Sequence, residues 1–390
     1  MKKLFLLATV AILALPSASH AASYEVGGWV PWFAEDTAIK SAEKNIRDLD
    51  VLYPFVYEVD SGGNIVSKVD IESDDWQDLF ELADDKNIEV IPTIAWFDGE
   101  EMHEVLSDKR KRNNHIDDIV DMVKEQGFDG VNIDYEARKS ETVDYYSLFL
   151  KDLKDELGRR LSLTCTIEAR TPPESLYRDV PKEIKYSNDY EEINEHCDWV
   201  EIMAYDQQRA DLKLNDERKG VPYMPVADVD WVEKVVDLAV KDIDADKILL
   251  GVPTYGRAWD ITVAPEWYRD YKQVASLNQP RILELSEKYD SPIGRTEGGE
   301  AVISYFPEDS KWKIFNALPT PKGTPKGYEA AAKALMVATY AKVEIPVRFI
   351  TWSDASAIED KMELVEKYDL KGVAIFKVDG EEDKKIWSLF

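Results

Sequence analysis

The stretch Phe128-Asp129-Gly130-Val131-Asn132-Ile133-Asp134-Tyr135-Glu136 decides how this chain reads. Val131, Ile133 and Tyr135 alternate with Asn132, Asp134 and Glu136, which is the period of a β-strand, where successive side chains point to opposite faces. Asn132, Asp134 and Glu136 therefore share one face. In a closed barrel that face points inward, with Glu136 at the exit end. Carboxylates stacked this closely cannot all ionise cheaply, so one pKa rises and a proton stays available near neutral pH. A glycosidic oxygen leaves poorly unless it is protonated, so such an acid suits glycoside hydrolysis. The plainer alternative is a solvated strand end in an acidic protein.

On either side, strand-like and helix-like stretches alternate. Strands are expected over Glu25–Phe33, Val51–Val59, Ile88–Trp96, Phe128–Glu136, Leu161–Ala169, Trp199–Tyr205 and Ile248–Tyr255, with late strands at Phe349–Trp352 and Gly372–Phe376. Helical spacing covers Asn114–Glu125, with Ile116, Ile119, Val120 and Val123 on one face, and also Tyr145–Leu157, Asp230–Ala245 and Ala357–Tyr368. This order predicts parallel β/α units. About eight of them predict an α/β fold of the (β/α)8 TIM-barrel type, with its active site at the C-terminal strand ends. A doubly wound open sheet is the alternative, but no GxGxxG turn supports it. From about 260 to 347 the alternation lapses into a Pro-rich, aromatic stretch, which reads as a small α+β insertion after the seventh strand. Residues 22–390 then form one catalytic domain.

The central stretch resembles the signature of glycoside hydrolase family 18, the chitinase-like enzymes, written D-G-x-x-x-D-x-E; its fixed positions here are Asp129, Gly130, Asp134 and Glu136. Met203-Ala204-Tyr205-Asp206 is similar to the family's sixth-strand M-x-Y-D. Gly251 to Trp259 is similar to its seventh-strand G-x-P-x-Y-G-R, and Gly27–Phe33 to its aromatic first strand. The resemblance spans nearly the whole chain beyond the leader. It implies retaining, substrate-assisted hydrolysis of β-1,4 bonds in N-acetylglucosamine glycans, chitin oligomers or peptidoglycan, in which the substrate's acetamido oxygen is the nucleophile. It further implies Glu136 as the acid and then the base, Asp134 as the group orienting the acetamido, and Tyr205 as its hydrogen-bond partner. Asp129, Asn132, Met203, Asp206, Tyr255 and Arg257 would contact substrate or line the cleft. The family's late-strand tryptophan floor has its nearest match in Phe376. A catalytically inactive sugar-binding protein on the same barrel is the alternative.

The chain departs from the pattern in three further places. Many members carry aspartate where this chain has Asn132, although members resembling spore-cortex-lytic enzymes and chitobiases carry asparagine. Sixth-strand members often carry glutamine where this chain has Glu201. The usual third-strand S-x-G-G is replaced by Thr93-Ile94-Ala95-Trp96.

Composition bounds the rest. The 390 residues include 77 acidic and 48 basic side chains, for a net charge of −29. That argues against nucleic acid and anionic membranes, both of which need clustered cations. Residues 1–21 read as a cleavable leader: Lys2 and Lys3, an apolar run from Leu4 to Leu15, Pro16, then Ser19-His20-Ala21; a retained N-terminal anchor is the alternative. The expectation is an exported monomer with no membrane span after cleavage, no cofactor and no metal. Cys165 and Cys197 are either a disulfide, which export permits, or two buried thiols. The histidines share no metal spacing. Trp29, Trp32, Trp96, Trp259 and Trp352 lie at expected strand ends, where aromatic faces can stack on sugar rings; Trp29 and Trp96 are the candidates beside the first and third strands.

Overall fold

The computed structural model describes Tyr24–Phe390; the leader expected over 1–21 lies outside these residues. Eight parallel strands close into a barrel: β1 (Glu25–Pro31), β2 (Val51–Val59), β3 (Thr93–Trp96), β4 (Gly130–Tyr135), β5 (Ser162–Glu168), β6 (Trp199–Met203), β7 (Ile248–Pro253) and β8 (Gly372–Phe376). β1 pairs with both β2 and β8, which closes the ring. Helices lie between consecutive strands, so the chain is a (β/α)8 barrel, as its alternation predicts.

The segment that delivers β4 shows how the local sequence builds this. Asp108 accepts hydrogen bonds from the backbone N–H of Arg110 and of Lys111, each at 2.9 Å, and so caps the helix Lys109–Gln126. Ile116, Ile119, Val120 and Val123 bury the apolar face of that helix. Each such burial contributes about 1.5–3 kcal/mol. Gly127, at φ 72°, ends the helix in the left-handed region and turns the chain into β4. At Gly130 a Cβ would lie 2.2 Å from the Ser162 carbonyl oxygen of β5, so the strand can start there only with glycine.

Three aspartates pin the lower rim of the barrel in the same way. Each sits one residue before an even-numbered strand and accepts a backbone N–H from the strand preceding it or from the chain leading into that strand. Asp50 takes Val26 N–H at 2.9 Å, Asp129 takes Val90 N–H at 2.8 Å, and Asp198 takes Leu163 N–H at 2.8 Å.

Tyr255–Trp352 build a second, antiparallel sheet beyond β7, in the order Trp267–Asn278, Tyr255–Ala264, Ile345–Trp352, Ala301–Tyr305, Gly294–Arg295. The helix Glu329–Ala341 covers one face and Gln279–Lys288 the other. Phe349–Trp352, expected as a late barrel strand, is the end of an inserted antiparallel strand. It is apolar on both faces, and such a run does not reveal which sheet it joins. The stretch Ile248–Tyr255 is likewise interrupted at Thr254, where the barrel ends and the inserted sheet begins. Trp259 and Trp352 are core residues of that sheet and do not reach a cleft.

Cys165 of β5 and Cys197, two residues before β6, form a disulfide across a sequence separation of 32. Replacing both with alanine should lower the unfolding free energy by about 2–4 kcal/mol. The measurement is denaturant unfolding of the double variant against the native protein. An unchanged midpoint would mean that the bond adds nothing to the packing already present around it.

Candidate active site

The polar face of β4 points into the barrel, and its three members occupy different depths. Asn132 is fully buried, and its amide is saturated. Its Nδ2 donates to Thr164 Oγ1 at 2.7 Å and to Glu201 Oε2 at 2.9 Å, while its Oδ1 accepts from Thr93 and Thr166, each at 3.0 Å. With no donor or acceptor left, Asn132 cannot contact substrate as expected; it holds the floor of the stack. Asp134, one step up, is buried and has an oxygen, Oδ1, with no hydrogen-bond partner. Glu136, at the exit, is half-buried.

Burial raises both carboxyl pKa values. Glu136 is pushed up to about 7, first by desolvation and then by the nearby Glu168 charge, with Arg138 opposing. Asp134 is raised well above the carboxylate range by burial and then by Glu136. The two titrate as a pair. At neutral pH the mouth of the barrel therefore keeps a transferable proton beside a second acid.

The other candidates arrive from neighbouring strand ends. Tyr205 follows β6 and stacks on Phe376 of β8, with ring centroids 5.7 Å apart and planes 17° from parallel. Tyr255 packs edge-on against both rings, 6.3 Å from each. Its hydroxyl donates to Asp206 Oδ2 at 2.9 Å, and Arg257 clamps the same carboxylate through Nε at 2.8 Å and a terminal nitrogen at 2.6 Å. The charges of Asp134 and Glu136 both act on the Tyr205 hydroxyl, which places all three around one space. Met203, half-buried, is paired in register with Glu168 across β5 and β6. Ala137 and Asp206 take φ of 55°, outside the ordinary range for residues with side chains, where the chain turns away from β4 and β6.

Besides Asn132, three expected residues do not line this space. Asp129 lies at the opposite rim, where it clips Val90, and seven residues of strand put it roughly 20 Å below Glu136. Trp96 is buried on the outer side of β3, against His115 and Tyr135 in the layer between barrel and helices. Its place in β3 fixes that orientation, because alternation turns Ala95 inward and Trp96 outward. Trp29 does face inward, but it lies beneath the mouth, buried, with its Nε1 donating to Thr93 Oγ1 at 3.1 Å and its ring edge-on to Phe376. It supports the floor from below.

Two site residues were missed from sequence. Glu168 closes β5 on the inward face, in step with Thr164 and Thr166, and alternation alone would have marked it. Arg138 pairs with Glu168 at 2.9 Å. Glu168 also accepts the Ala137 backbone N–H at 3.2 Å, so the pair braces the turn that carries Glu136.

The model for glycosyl hydrolases family 18 matches residues 45–381. The chain is 21% identical over 294 residues to the uncharacterized glycosylase YvbX of Bacillus subtilis, covering 75% of this chain and 69% of that one. It is 27% identical over 244 residues to the putative sporulation-specific glycosylase YdhD of the same organism, covering 61% of this chain and only 52% of that one. Among solved structures, the spore cortex-lytic enzyme SleL of Bacillus megaterium aligns with a TM-score of 0.68 at 20% identity, over 94% of this chain and 73% of SleL. At that identity the likeness to SleL speaks for the fold alone. The family match begins after β1, runs past β8 and takes in every carboxylate at the barrel mouth: the chain belongs to glycosyl hydrolases family 18.

Proposed function

We propose that this protein is an exported, retaining glycoside hydrolase that cleaves the β-1,4 bond following an N-acetylglucosamine unit, with peptidoglycan-type glycan as its polymer. The observation that carries this is the Glu136–Asp134 pair: an acid with its pKa near 7 at the mouth, and behind it a buried carboxyl oxygen without a donor. Glu136 gives its proton to the glycosidic oxygen as the bond to the anomeric carbon breaks. The acetamido carbonyl oxygen of the same sugar forms the new bond to that carbon. The acetamido N–H supplies the donor that Asp134 Oδ1 lacks, which favours the ionised carboxylate over the protonated form that burial favours in the free protein, and that carboxylate stabilises the cationic ring. The Tyr205 hydroxyl donates to the acetamido carbonyl. Water then attacks the anomeric carbon from the side the leaving group vacated, the bond to the acetamido oxygen breaks and re-forms the acetamido carbonyl, Glu136 takes the water's proton, and configuration is retained. Phe376, stacked on Tyr205, offers a flat apolar floor to the sugar ring.

Three features support the polymer and its location. The floor ring is a phenyl group, smaller than the indole of the chitinase pattern. Asparagine at 132 is shared with the cortex-lytic branch, and SleL is named for spore cortex lysis. The Cys165–Cys197 disulfide and the apolar leader fit an exported protein.

Glu136→Gln should lower kcat about 10²- to 10⁴-fold on a soluble N-acetylglucosamine oligomer, the range that general acid–base catalysis supplies, with circular dichroism unchanged. Retention of most activity by a folded variant would remove the acid role. The pH profile tests the electrostatics. Glu136 must be protonated to act, so kcat/KM should fall as pH rises through about 7. Glu168→Gln removes a charge that raises the Glu136 pKa and frees Arg138, which lowers it. Both changes act in one direction, so the alkaline limb should move to lower pH. A limb that stays in place or moves up would show that Glu168 does not set the acid.

A further inference from the structure

Two cavities continue from the acid site along the loops that follow β5 and β6. The first, about 360 Å³, is lined by Glu168, Tyr177, Tyr186 and Ala210 among others. The second, about 650 Å³, is lined by Arg178, Arg209, Trp267 and Tyr271 among others. Adjacent residues join them: Tyr177 lines the first and Arg178 the second, and Ala210 lines the first and Arg209 the second. The two cavities are therefore neighbours, a trough in two parts that reaches from Glu168 beside the acid to the inserted strand Trp267–Asn278.

The far end of the trough is cationic in a chain of net charge −29. Other cations there are already committed. Arg218 contacts Asp228, Asp230 and Glu297, and Lys219 pairs with Asp216 at 3.0 Å. Arg178 and Arg209 form no ion pair among the described residues. The Arg209 guanidinium lies 5.4 Å from the centre of the Tyr271 ring, and both residues line the cavity. Trp267 stands at the rim with 57% of its surface exposed, in a protein whose other inserted-sheet tryptophans, Trp259 and Trp352, are buried.

Two unpaired guanidinium groups offer planar forks of N–H donors, the arrangement that recognises a carboxylate. The exposed indole at the same cavity carries the Arg269 guanidinium over its ring, 5.8 Å from the centre, and offers its other face to a sugar ring. Asp216, paired with Lys219, and Glu266 line the same cavity, so its four cations outnumber its two carboxylates, and acidic charges beyond about 8 Å are screened at physiological ionic strength.

We propose that this trough is a subsite for a carboxylate carried on the glycan, held by Arg178 and Arg209 with the adjoining sugar against Trp267. The inference rests on the glycan-hydrolase reading above and narrows it. Chitin has no carboxylate, whereas peptidoglycan bears one either on the lactyl ether of its muramyl sugar or on the stem peptide attached there.

The test uses Glu136→Gln to hold substrate uncleaved and compares binding of three probes by calorimetry. These are glycan strands with stem peptides, strands stripped to the free lactyl acid, and stripped strands with that carboxyl reduced to the alcohol. Carboxylate-bearing strands should bind about tenfold more tightly than reduced ones. Adding Arg178→Gln and Arg209→Gln should erase the difference while leaving the affinity for neutral chito-oligosaccharides unchanged, and lysine at both positions should restore part of it. A preference confined to strands with stems assigns the carboxylate to the peptide, and one shown by stripped strands assigns it to the lactyl group. Equal binding of acidic and reduced strands, or a preference that survives both glutamine substitutions, overturns the subsite. Failure of the native protein to hydrolyse any of these strands or chito-oligosaccharides would instead overturn the hydrolase reading, and the binding comparison would stand apart from it.

Discussion

Asn132 donates to Glu201 across the barrel core at 2.9 Å, and the carboxyl stack above depends on that bond. Glu201 is fully buried; desolvation pushes its pKa up to about 7, and the Tyr53 hydroxyl on its other oxygen, at 2.6 Å, pulls the opposite way. An aspartate at position 132 would put a carboxylate directly against it, with Asp134 and Glu136 stacked above. Four acids in one low-dielectric column would have to share protons, and the acid at the mouth would lose its separate titration. The amide prevents this by separating Glu201 from Asp134 with a neutral, fully bonded group. Two departures from the chitinase pattern thereby explain each other. Where many members pair aspartate on β4 with glutamine on β6, this chain has asparagine on β4 and glutamate on β6. The acid and the amide have exchanged strands, and one carboxylate and one amide remain in the core.

Much of the site was legible because period-two alternation inside a closed barrel leaves no choice of face. Asp134, Glu136 and the β/α order follow from it directly. The errors come from information that alternation does not carry. Asp129 was read as a site residue because it belongs to the signature, yet its chemistry is that of Asp50 and Asp198, each clipping a neighbouring backbone N–H. A residue fixed by the fold and one fixed by catalysis look alike in a motif. Trp96 was assigned to the cleft from its position at a strand end, although its parity on β3 sends it outward. Glu168 was overlooked for the opposite reason: it has the right parity, but no motif marks it.

The inserted sheet was legible as a small α+β insertion but not in its strand order, since long-range antiparallel pairing leaves no local sign. Its role at the mouth is structural as well as steric. Tyr255 and Arg257 begin its first strand and hold Asp206 from outside the barrel. Farther in, the buried Glu300 accepts the backbone N–H groups of Val226 and Ala227, each at 2.9 Å, and so fixes the loop that follows β6. Burial pushes the Glu300 pKa up to about 7, and the charge of Lys361, also buried, opposes that shift. The insertion thus positions the β6 loop from two sides, and Arg209 lies on that loop.

The acidity of the chain has a partial explanation at this level. Asp98, Asp108, Asp189, Asp211, Asp228 and Asp354 each cap a helix N-terminus by accepting backbone N–H groups, and three more aspartates clip strand starts. A barrel of alternating strands and helices has many exposed N–H groups at element starts, and aspartate serves them better than most residues. Such aspartates serve backbone N–H groups at element boundaries, and of the six caps Asp211 and Asp228 also lie next to the second cavity, where Arg218 contacts Asp228. The remaining negative surface leaves the two unpaired arginines beside Trp267 as a local exception in a field of the opposite sign. A site of that kind distinguishes ligands by short-range geometry, because long-range attraction is not available to it.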